Sequence, residues 1–273
     1  MATTQSTPVF ILAGGKGTRI SEETQSLPKP MIEIGDIPVL IHLMRWYYSK
    51  GFTDFVICAG YKAWEIKQYF LNYSWRSSHV ELDMRDSNAV TVRPMAVLTG
   101  HEKWRVRVID TGLECQTGGR VARAFDVVSK VQKIDQFAVT YGDGLSDIDL
   151  GAEFDFHKKH GKIGTVLGVH PLARFGELDI VDGTKVQAFL EKPQARQGVI
   201  NGGFFFFNSS FRKYLSDADE CILEREPVTQ LASEGELQVY KHEGFWHPMD
   251  MLRDKQALQK LWESGKAPWL AKA

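Results

Sequence analysis

The chain contains 273 residues with a formal net charge of −1, and 43% of its residues are hydrophobic, so it can bury a large core. Its basic residues are scattered and its apolar stretches are short, which argues against nucleic acid or a membrane as a partner. Three distant cysteines without metal-ligand spacing, and no secretory leader, predict a cytoplasmic protein with reduced thiols. Any phosphate-bearing partner is therefore expected to be a small molecule.

The predicted elements begin after residues 1–8, a polar segment that we expect to be a flexible tail. From there to residue 170 the hydrophobic pattern alternates between strands and helices. The predicted strands are residues 9–12, 55–58, 106–110, 137–141 and 163–170, and the predicted helices are residues 38–50, 61–73, 119–128 and 147–160. This alternation predicts an α/β fold with a Rossmann-like, mostly parallel mixed sheet covered by helices on both faces.

The pattern changes after residue 170. Strand-like segments are frequent between residues 175 and 240, and helical periodicity returns at residues 250–264. We expect one domain over residues 9–273, with two halves that meet near residue 170. Residues 74–105 have weak periodicity, and we interpret them as an insertion suited to subunit contact.

A glycine-rich loop with basic side chains follows the first predicted strand. Glycines let main-chain N–H groups approach phosphate oxygens closely, while Lys16, Arg19 and the later Lys29 supply positive charge. An ordinary glycine-rich turn is the alternative, but loops after buried strands hold ligands in α/β folds. The loop therefore predicts a polyphosphate site, and its candidate binding residues are Leu12, Ala13, Gly14, Gly15, Lys16, Gly17, Thr18 and Arg19.

Two familiar phosphate motifs do not match this loop. The P-loop pattern requires Ser or Thr directly after its lysine, but Gly17 follows Lys16. The dinucleotide-binding pattern requires a third glycine at the position of Ile20. The loop instead resembles that of the sugar-nucleotide pyrophosphorylases, most closely their glucose-1-phosphate cytidylyltransferase branch, and the matching segments are residues 12–19, 21–24, 29–31 and 34–35.

This resemblance extends from about residue 9 to residue 262 and implies both a fold and a reaction. The fold is the glycosyltransferase-A-like nucleotidyltransferase fold, with a nucleotide-binding half at 9–170 and a sugar-binding half at 171–273. In the reaction, the phosphate of α-D-glucose 1-phosphate attacks the α-phosphorus of CTP in line, forming CDP-glucose and pyrophosphate. The family also implies Mg²⁺ as cofactor, a homo-oligomer (trimer or hexamer) and a part in lipopolysaccharide O-antigen biosynthesis.

Such a reaction brings two anions together and needs compensating charge. One like-charge pair ~4 Å apart costs about 4 kcal/mol at an effective dielectric constant of 20. The resemblance implies that Lys16 and Arg19 hold the leaving pyrophosphate and that Lys29 offsets charge on the α-phosphate. Cationic side chains and metal ions held by carboxylates are the general means of stabilising phosphoryl transfer.

Two aspartates are candidate metal ligands. Asp143 follows the predicted strand 137–141, where ligands bind in open α/β sheets, although a Gly-Asp-Gly surface turn is the alternative. Asp250 by itself is typical of a helix N-cap. The resemblance joins them, since both match the metal-binding aspartates of the family, and Mg²⁺ characteristically takes one or two protein carboxylates.

The candidate sugar site lies in the second half of the chain. Glu191 and Lys192 precede a proline, a pattern that is also typical of a solvated turn. The resemblance implies that Lys192 positions the attacking phosphate and that Glu191 binds sugar hydroxyls. It completes the sugar-binding set as Gly176, Glu191, Lys192, Asn201 and Gly202.

Further nucleotide contacts are expected at the start of the helix predicted near residue 119. A polar turn with a helix cap is the alternative for this segment. The resemblance assigns to the nucleotide Lys29, Cys115, Thr117, Arg120 and Gly142. The chain departs from the family pattern at Cys115, where a hydroxyl is usual, and at Gln116 and Met251.

Those departures concern nucleotide contacts, so the same chemistry with UTP, dTTP or another sugar 1-phosphate stays an alternative. A noncatalytic nucleotide-sugar-binding regulatory protein is an alternative of another class. The presence of both aspartates and of the four cations Lys16, Arg19, Lys29 and Lys192 favours an enzyme, because a sensor does not need a metal at the reacting phosphate.

Overall fold

The computed structural model describes residues 3–76, 78–85, 91–97, 102–171, 177–181, 185–190 and 198–270. Its strands are β1 Val9–Ala13, β2 Glu33–Ile34, β3 Ile37–Pro38, β4 Asp54–Ala59, β5 Ser78–Asp83, β6 Thr91–Val97, β7 Arg105–Asp110, β8 Gln136–Tyr141, β9 Gly144–Ser146, β10 Gly164–Val169, β11 Glu177–Val181, β12 Lys185–Leu190, β13 Ile200–Asn208, β14 Leu237–His242 and β15 Trp246–Pro248. Its α-helices are α1 Ser21–Thr24, α2 Val39–Ser49, α3 Ala63–Leu71, α4 Tyr73–Arg76, α5 Thr117–Ser129, α6 Leu150–His160, α7 Glu226–Ser233 and α8 Leu252–Glu263.

Within these residues, seven strands form the main sheet in the order β14-β10-β13-β8-β1-β4-β7. Strand β13 is antiparallel to its neighbours β10 and β8, and the remaining neighbours are parallel. This arrangement confirms the predicted mostly parallel mixed sheet. Strand β1 lies near its centre, and all five of its residues are buried because neighbouring strands and helices cover it on every side.

The sheet carries an apolar core on each face. Along β13, Phe204 and Phe206 pack into the core that also contains Tyr47 of α2 and Phe154 of α6. The alternate residues of the strand, including Phe205, pack into the opposite core against α5. The run of four phenylalanines is therefore explained by a strand whose side chains alternate between two buried faces.

Helix ends follow the local chemistry of the chain. Pro38 directly precedes α2, where a missing backbone N–H does no harm. Helix α6 begins after Asp149, whose side chain accepts hydrogen bonds from the amides of Gly151 and Ala152, and it ends at Gly161 with a φ of 68°. These signals place helices close to the predicted ranges.

The carboxyl ends of the parallel strands β1, β4, β7 and β8 lie at one edge of the sheet. The chain leaves these strands after Ala13, Ala59, Asp110 and Tyr141, respectively. The glycine-rich loop, the segment before α5 and the segment before β9 are thereby brought to one side of the molecule. Ligands of open α/β sheets bind at such an edge.

Other parts of the chain are arranged around this sheet. Part of the segment expected to be a flexible tail has regular structure, since Thr4–Ser6 form a 3-10 turn and Thr7 is buried. The predicted insertion at residues 74–105 contains the antiparallel hairpin of β5 and β6. In the described part of the chain, no helix combines the length and apolar character that a bilayer span requires.

Candidate active site

A cavity of about 550 Å³ lies at the carboxyl edge of the sheet. Predicted binding residues that line it are Leu12, Ala13, Gly14, Gly15, Lys16, Gly17, Thr18, Arg19, Lys29, Cys115, Thr117, Arg120, Asp143 and Asp250. Residues that line it without having been predicted to bind are Pro30, Leu113, Glu114, Gln116 and Tyr141. The structure thus brings residues from five separate segments to one concave surface.

Asp143 and Asp250 are held together by a short strand pairing. Strand β9 follows Asp143 directly, strand β15 ends shortly before Asp250, and the two strands are antiparallel with Gly144 opposite Pro248. The amide of Met249 donates to the carbonyl of Asp143 at 2.9 Å. These backbone contacts fix two aspartates that are far apart in the sequence at the same end of the cavity.

Lys29 lies between the two aspartates. Its Nζ is 2.5 Å from Asp143 Oδ2 and 2.7 Å from Asp250 Oδ1. Burial alone would lower the pKa of Lys29, but the charges and hydrogen bonds of the two carboxylates outweigh burial and raise this pKa above its ordinary value. At Asp250, burial is likewise outweighed by Lys29 and Arg19, which lower the pKa. Lys29 is therefore a cation in the folded protein, and Asp250 is an anion.

The carboxylate oxygens of the two aspartates are of the kind that Mg²⁺ prefers as ligands. Both carboxylates converge on the Lys29 ammonium, so both can reach one positive centre. Among the described residues, no group of three or more His, Cys, Asp or Glu side chains is placed to hold a metal. A bound ion would therefore depend on water and substrate phosphate for the rest of its shell, as Mg²⁺ commonly does.

The other two basic side chains of the loop are also paired with carboxylates. Lys16 Nζ lies 2.7 Å from Glu114 Oε1, and both side chains are exposed. Arg19 Nη1 lies 3.2 Å from Asp250 Oδ2. Because each loop cation has an anionic partner, much of the positive charge at the cavity is neutralised from within the chain.

Arg120 is a buried cation, with 4% of its surface exposed. Its Nη2 donates to the carbonyls of Gly14 and Leu113 at 3.0 and 3.2 Å. Its Nη1 donates to Gly112 O at 2.7 Å, to Thr111 Oγ1 at 2.8 Å and to Ala59 O at 3.2 Å. The guanidinium thus ties the glycine-rich loop to the segment before α5, so these contacts give it a positioning role beside the cavity.

The start of α5 is capped by a distant segment. The amides of Gly118 and Gly119 donate to the carbonyl of Cys221 at 2.9 and 3.1 Å. Thr117 Oγ1 donates to Glu224 Oε2 at 2.9 Å. The polar groups at this helix terminus are therefore already partly satisfied by the protein, although Thr117 still lines the cavity.

Gly142 is placed by close backbone packing. Its amide donates to Leu12 O at 3.0 Å, and a Cβ at this position would lie 2.8 Å from the same oxygen. It is not among the residues that line the cavity. A glycine is required there because the chain leaving β8 passes directly against the end of β1.

A second cavity of about 240 Å³ adjoins the first and shares Tyr141, Asp143 and Asp250 with it. Two predicted sugar-binding residues, Asn201 and Gly202, line it. Asn201 Oδ1 accepts a hydrogen bond from the amide of Gly203 at 2.8 Å, which orients the side-chain amide. The remaining predicted sugar-binding residues, Gly176, Glu191 and Lys192, lie outside the described residues.

Trp246 also lines the second cavity, although it is not among the residues predicted to bind. Its Nε1 donates to Gly202 O at 2.7 Å, which leaves the ring half-buried at the cavity wall. A signal was present in the sequence, because Trp246 lies four residues before Asp250. Glu114 and Gln116, which line the first cavity, were also near a predicted position, since they flank Cys115, a predicted nucleotide-binding residue.

Comparisons with known proteins find similar sequences and folds. The family model described as nucleotidyl transferase matches residues 9–250. The glucose-1-phosphate cytidylyltransferases of Salmonella typhi and Salmonella typhimurium strain LT2 are each 49% identical to the chain over 259 residues, which cover 95% of this chain and 97% of each relative. The crystal structure of HddC from Yersinia pseudotuberculosis aligns with a TM-score of 0.59 at 20% identity, covering 94% of this chain and 99% of that one. This last match supports the fold alone.

Proposed function

We propose that this chain, which belongs to the nucleotidyl transferase family, is a glucose-1-phosphate cytidylyltransferase that joins CTP and α-D-glucose 1-phosphate to form CDP-glucose and pyrophosphate. The structural observation that carries the proposal is the junction of the two cavities at Asp143 and Asp250. A nucleotide in the larger cavity and a sugar phosphate in the smaller one would meet there. The glycosyltransferase-A-like nucleotidyltransferase fold supplies both cavities from one sheet edge.

In the proposed reaction, an oxygen of the sugar phosphate forms a bond to the α-phosphorus of CTP. The bond from this phosphorus to the oxygen that bridges the α- and β-phosphates breaks, and pyrophosphate leaves with its electron pair. No covalent intermediate with the protein is required. The task of the protein is to position the two anions and offset their charge.

The chain's own side chains supply this positioning. Lys29 lies at the junction of the cavities and would offset charge at the α-phosphate. Lys16 and Arg19, in the glycine-rich loop that lines the larger cavity, would hold the pyrophosphate as it leaves. Lys192 is assigned to the sugar phosphate by sequence alone. Each of these contacts is worth more in a site that excludes water than at a free surface.

Asp143 and Asp250 are the residues that would hold Mg²⁺. When bound, the ion supplies charge neutralisation and Lewis-acid polarisation at the reacting phosphate. Asp250 also pairs with Arg19, one of the two cations assigned to the pyrophosphate. This double use explains why carboxylates and cations are interleaved at the junction.

The choice of CTP over UTP or dTTP rests on the similarity to the cytidylyltransferases. Cys115 and Gln116, which depart from the family pattern, line the larger cavity. A noncatalytic sensor would not need two carboxylates at the point where the cavities meet. The described geometry therefore favours an enzyme.

A panel of CTP, UTP, dTTP and GTP with glucose 1-phosphate and Mg²⁺ tests the proposal. We expect pyrophosphate release to be fastest with CTP and the sugar product to have the mass of CDP-glucose. A faster reaction with another triphosphate would overturn the base assignment. No release with any of the four would overturn the enzyme assignment.

We also propose a cytoplasmic homo-oligomer, a trimer or a hexamer, whose product CDP-glucose is used in lipopolysaccharide O-antigen biosynthesis. The apolar side chains Trp64, Leu82 and Met84 are 61, 59 and 71% exposed, on α3 and near the β5–β6 hairpin. A surface of this kind is suited to burial between subunits. Light scattering of the purified protein measures the assembly directly.

A further inference from the structure

Lys29 binds both of the carboxylates that the proposed reaction needs for a metal ion. Its side chain is only 13% exposed, and its ammonium contacts Asp143 at 2.5 Å and Asp250 at 2.7 Å. Its backbone is fixed by a short 3-10 turn, Lys29–Met31, in which the amide of Ile32 donates to Lys29 O at 3.1 Å. The contact is therefore between well-positioned groups and not between long side chains at a free surface.

The second oxygen of Asp250 is also occupied. Oδ1 of this carboxylate accepts from Lys29 and Oδ2 accepts from Arg19. A divalent ion that bound Asp143 and Asp250 together would have to replace the ammonium at both carboxylates. An ion placed beside the ammonium would meet a like charge at short range in a partly buried site.

We propose that Lys29 occupies the metal-binding carboxylates of the nucleotide-free protein and moves to the triphosphate when ion and nucleotide enter together. The proposal rests on the function proposed above. Triphosphate oxygens offer the ammonium a new anionic partner, and they also complete the shell of the ion. The free protein should therefore bind divalent ions weakly, and the site should accept them only with a polyphosphate present.

The first test measures Mn²⁺ binding to nucleotide-free protein from the electron paramagnetic resonance signal of free Mn²⁺. Lys29→Met removes the ammonium, and we expect it to bind Mn²⁺ at least tenfold more tightly than the wild type. Lys29→Arg keeps the charge and should bind as weakly as the wild type. Equal Mn²⁺ affinity in the wild type and Lys29→Met would overturn the proposal.

A second measurement follows thermal unfolding in the same proteins. Without the ammonium, Asp143 and Asp250 repel each other, so we expect Lys29→Met to melt at a lower temperature than the wild type. We expect Mn²⁺ to raise the melting temperature of this variant. Adding Asp250→Asn to Lys29→Met should remove this rise. A wild type that Mn²⁺ stabilises as much as Lys29→Met would contradict the proposal.

These readouts do not depend on catalysis. If wild-type protein forms no CDP-glucose but Lys29→Met gains Mn²⁺ affinity, the proposed function fails and the role of Lys29 stands. If CDP-glucose forms and Lys29→Met gains no affinity, the role of Lys29 fails alone.

Discussion

Arg120 shows how one buried side chain can organise a binding site. Within the described residues its guanidinium has no carboxylate partner, and it donates instead to acceptors from three segments around the cavity. Without it, the part-buried carbonyls of Gly112 and Leu113 would lose a donor, and an unsatisfied polar group costs roughly 1–3 kcal/mol. Gly14 O and Ala59 O would keep the amides of Tyr61 and Thr111. The charge and the forked donor geometry of this one guanidinium fix the three segments in position around the larger cavity.

We predict that Arg120→Met lowers the free energy of unfolding by about 2–4 kcal/mol and weakens CTP binding. Urea denaturation and a CTP titration measure the two effects. Lys130→Met, at the exposed end of the same helix, is the matched control and should change neither. Unfolding and CTP binding like those of the wild type in Arg120→Met would show that the loops are held by other contacts.

Glu114 pairs with Lys16, the side chain that the proposed function assigns to the leaving pyrophosphate. The pair is exposed, with side-chain exposures of 48% for Lys16 and 64% for Glu114, so it is weak. We predict that Glu114→Gln raises the affinity for CTP by about 1.5- to 5-fold, corresponding to an exposed ion pair of roughly 0.2–1 kcal/mol. The gain should shrink as salt is added.

The matched control for Glu114→Gln is Asp135→Asn. It breaks a similarly exposed pair with Lys133, 2.8 Å apart, that does not line the cavity. Asp135→Asn should leave CTP affinity unchanged. Weaker CTP binding by Glu114→Gln would instead identify Glu114 as a ligand of the nucleotide.

At the scale of elements, the glycine-rich loop contains two neighbouring glycines with different surroundings. A Cβ at Gly14 would lie 2.1 Å from Arg120 Nη1, whereas a Cβ at Gly15 would have no atom within 4 Å. We predict that Gly14→Ala displaces Arg120, lowers the melting temperature and weakens CTP binding. Gly15→Ala should melt within a few degrees of the wild type. Equal melting temperatures for the two variants would contradict this account of the loop.

The regular elements could be predicted because their patterns are local. Helix α2 was expected at residues 38–50 and is Val39–Ser49, and strand β8 was expected at 137–141 and is Gln136–Tyr141. Periodicity and end signals determine such segments. The short pairing of β9 with β15 was not predicted, because three-residue strands have no periodicity and their pairing depends on contacts between remote segments.

The same limit applies to the start of α5. Its capping by the carbonyl of Cys221 joins residues that are far apart in the sequence. The N-cap residue of α5 is Gln116, and its side chain makes no capping hydrogen bond. No local capping signal therefore predicts where this helix begins. Tertiary contact here takes the place of the local signal that usually begins a helix.

At the scale of the whole molecule, buried histidines should make the fold sensitive to acid. Burial lowers the pKa of His42 to about 4, and burial with the nearby His160 lowers the pKa of His157 to about 4. Between pH 6.5 and pH 4 the unfolded chain binds protons at these positions and the folded chain does not, so stability falls as the pH falls. Each histidine contributes at most roughly 3 kcal/mol to this loss.

Chemical denaturation from pH 7 to pH 4 measures the effect. Burial raises the pKa of Glu153, which opposes the histidines, but one carboxyl does not offset two imidazoles. We expect His42→Asn to flatten the dependence on pH between 6.5 and 4. A slope that is the same in the wild type and the variant would show that His42 does not contribute.

The site as a whole was only partly accessible from the sequence. The phosphate-binding character of the glycine-rich loop could be predicted from its residues, because glycines and basic side chains after a buried strand favour binding of an anion. Asp143 and Asp250 could be joined only through family resemblance, since a surface turn and a helix cap explain each of them separately. Folding brings them to one ammonium, and this proximity is a property of the tertiary structure.

In the proposed function, Asp143, Asp250 and the basic side chains at the junction of the cavities together allow two phosphate groups to react. The most direct measurement is the single-turnover rate of CDP-glucose formation from CTP, glucose 1-phosphate and Mg²⁺ in Asp143→Asn. We predict a rate on the order of 10²–10³ lower than that of the wild type, with a folded protein that still binds CTP. A rate within a few-fold of the wild type would contradict the account.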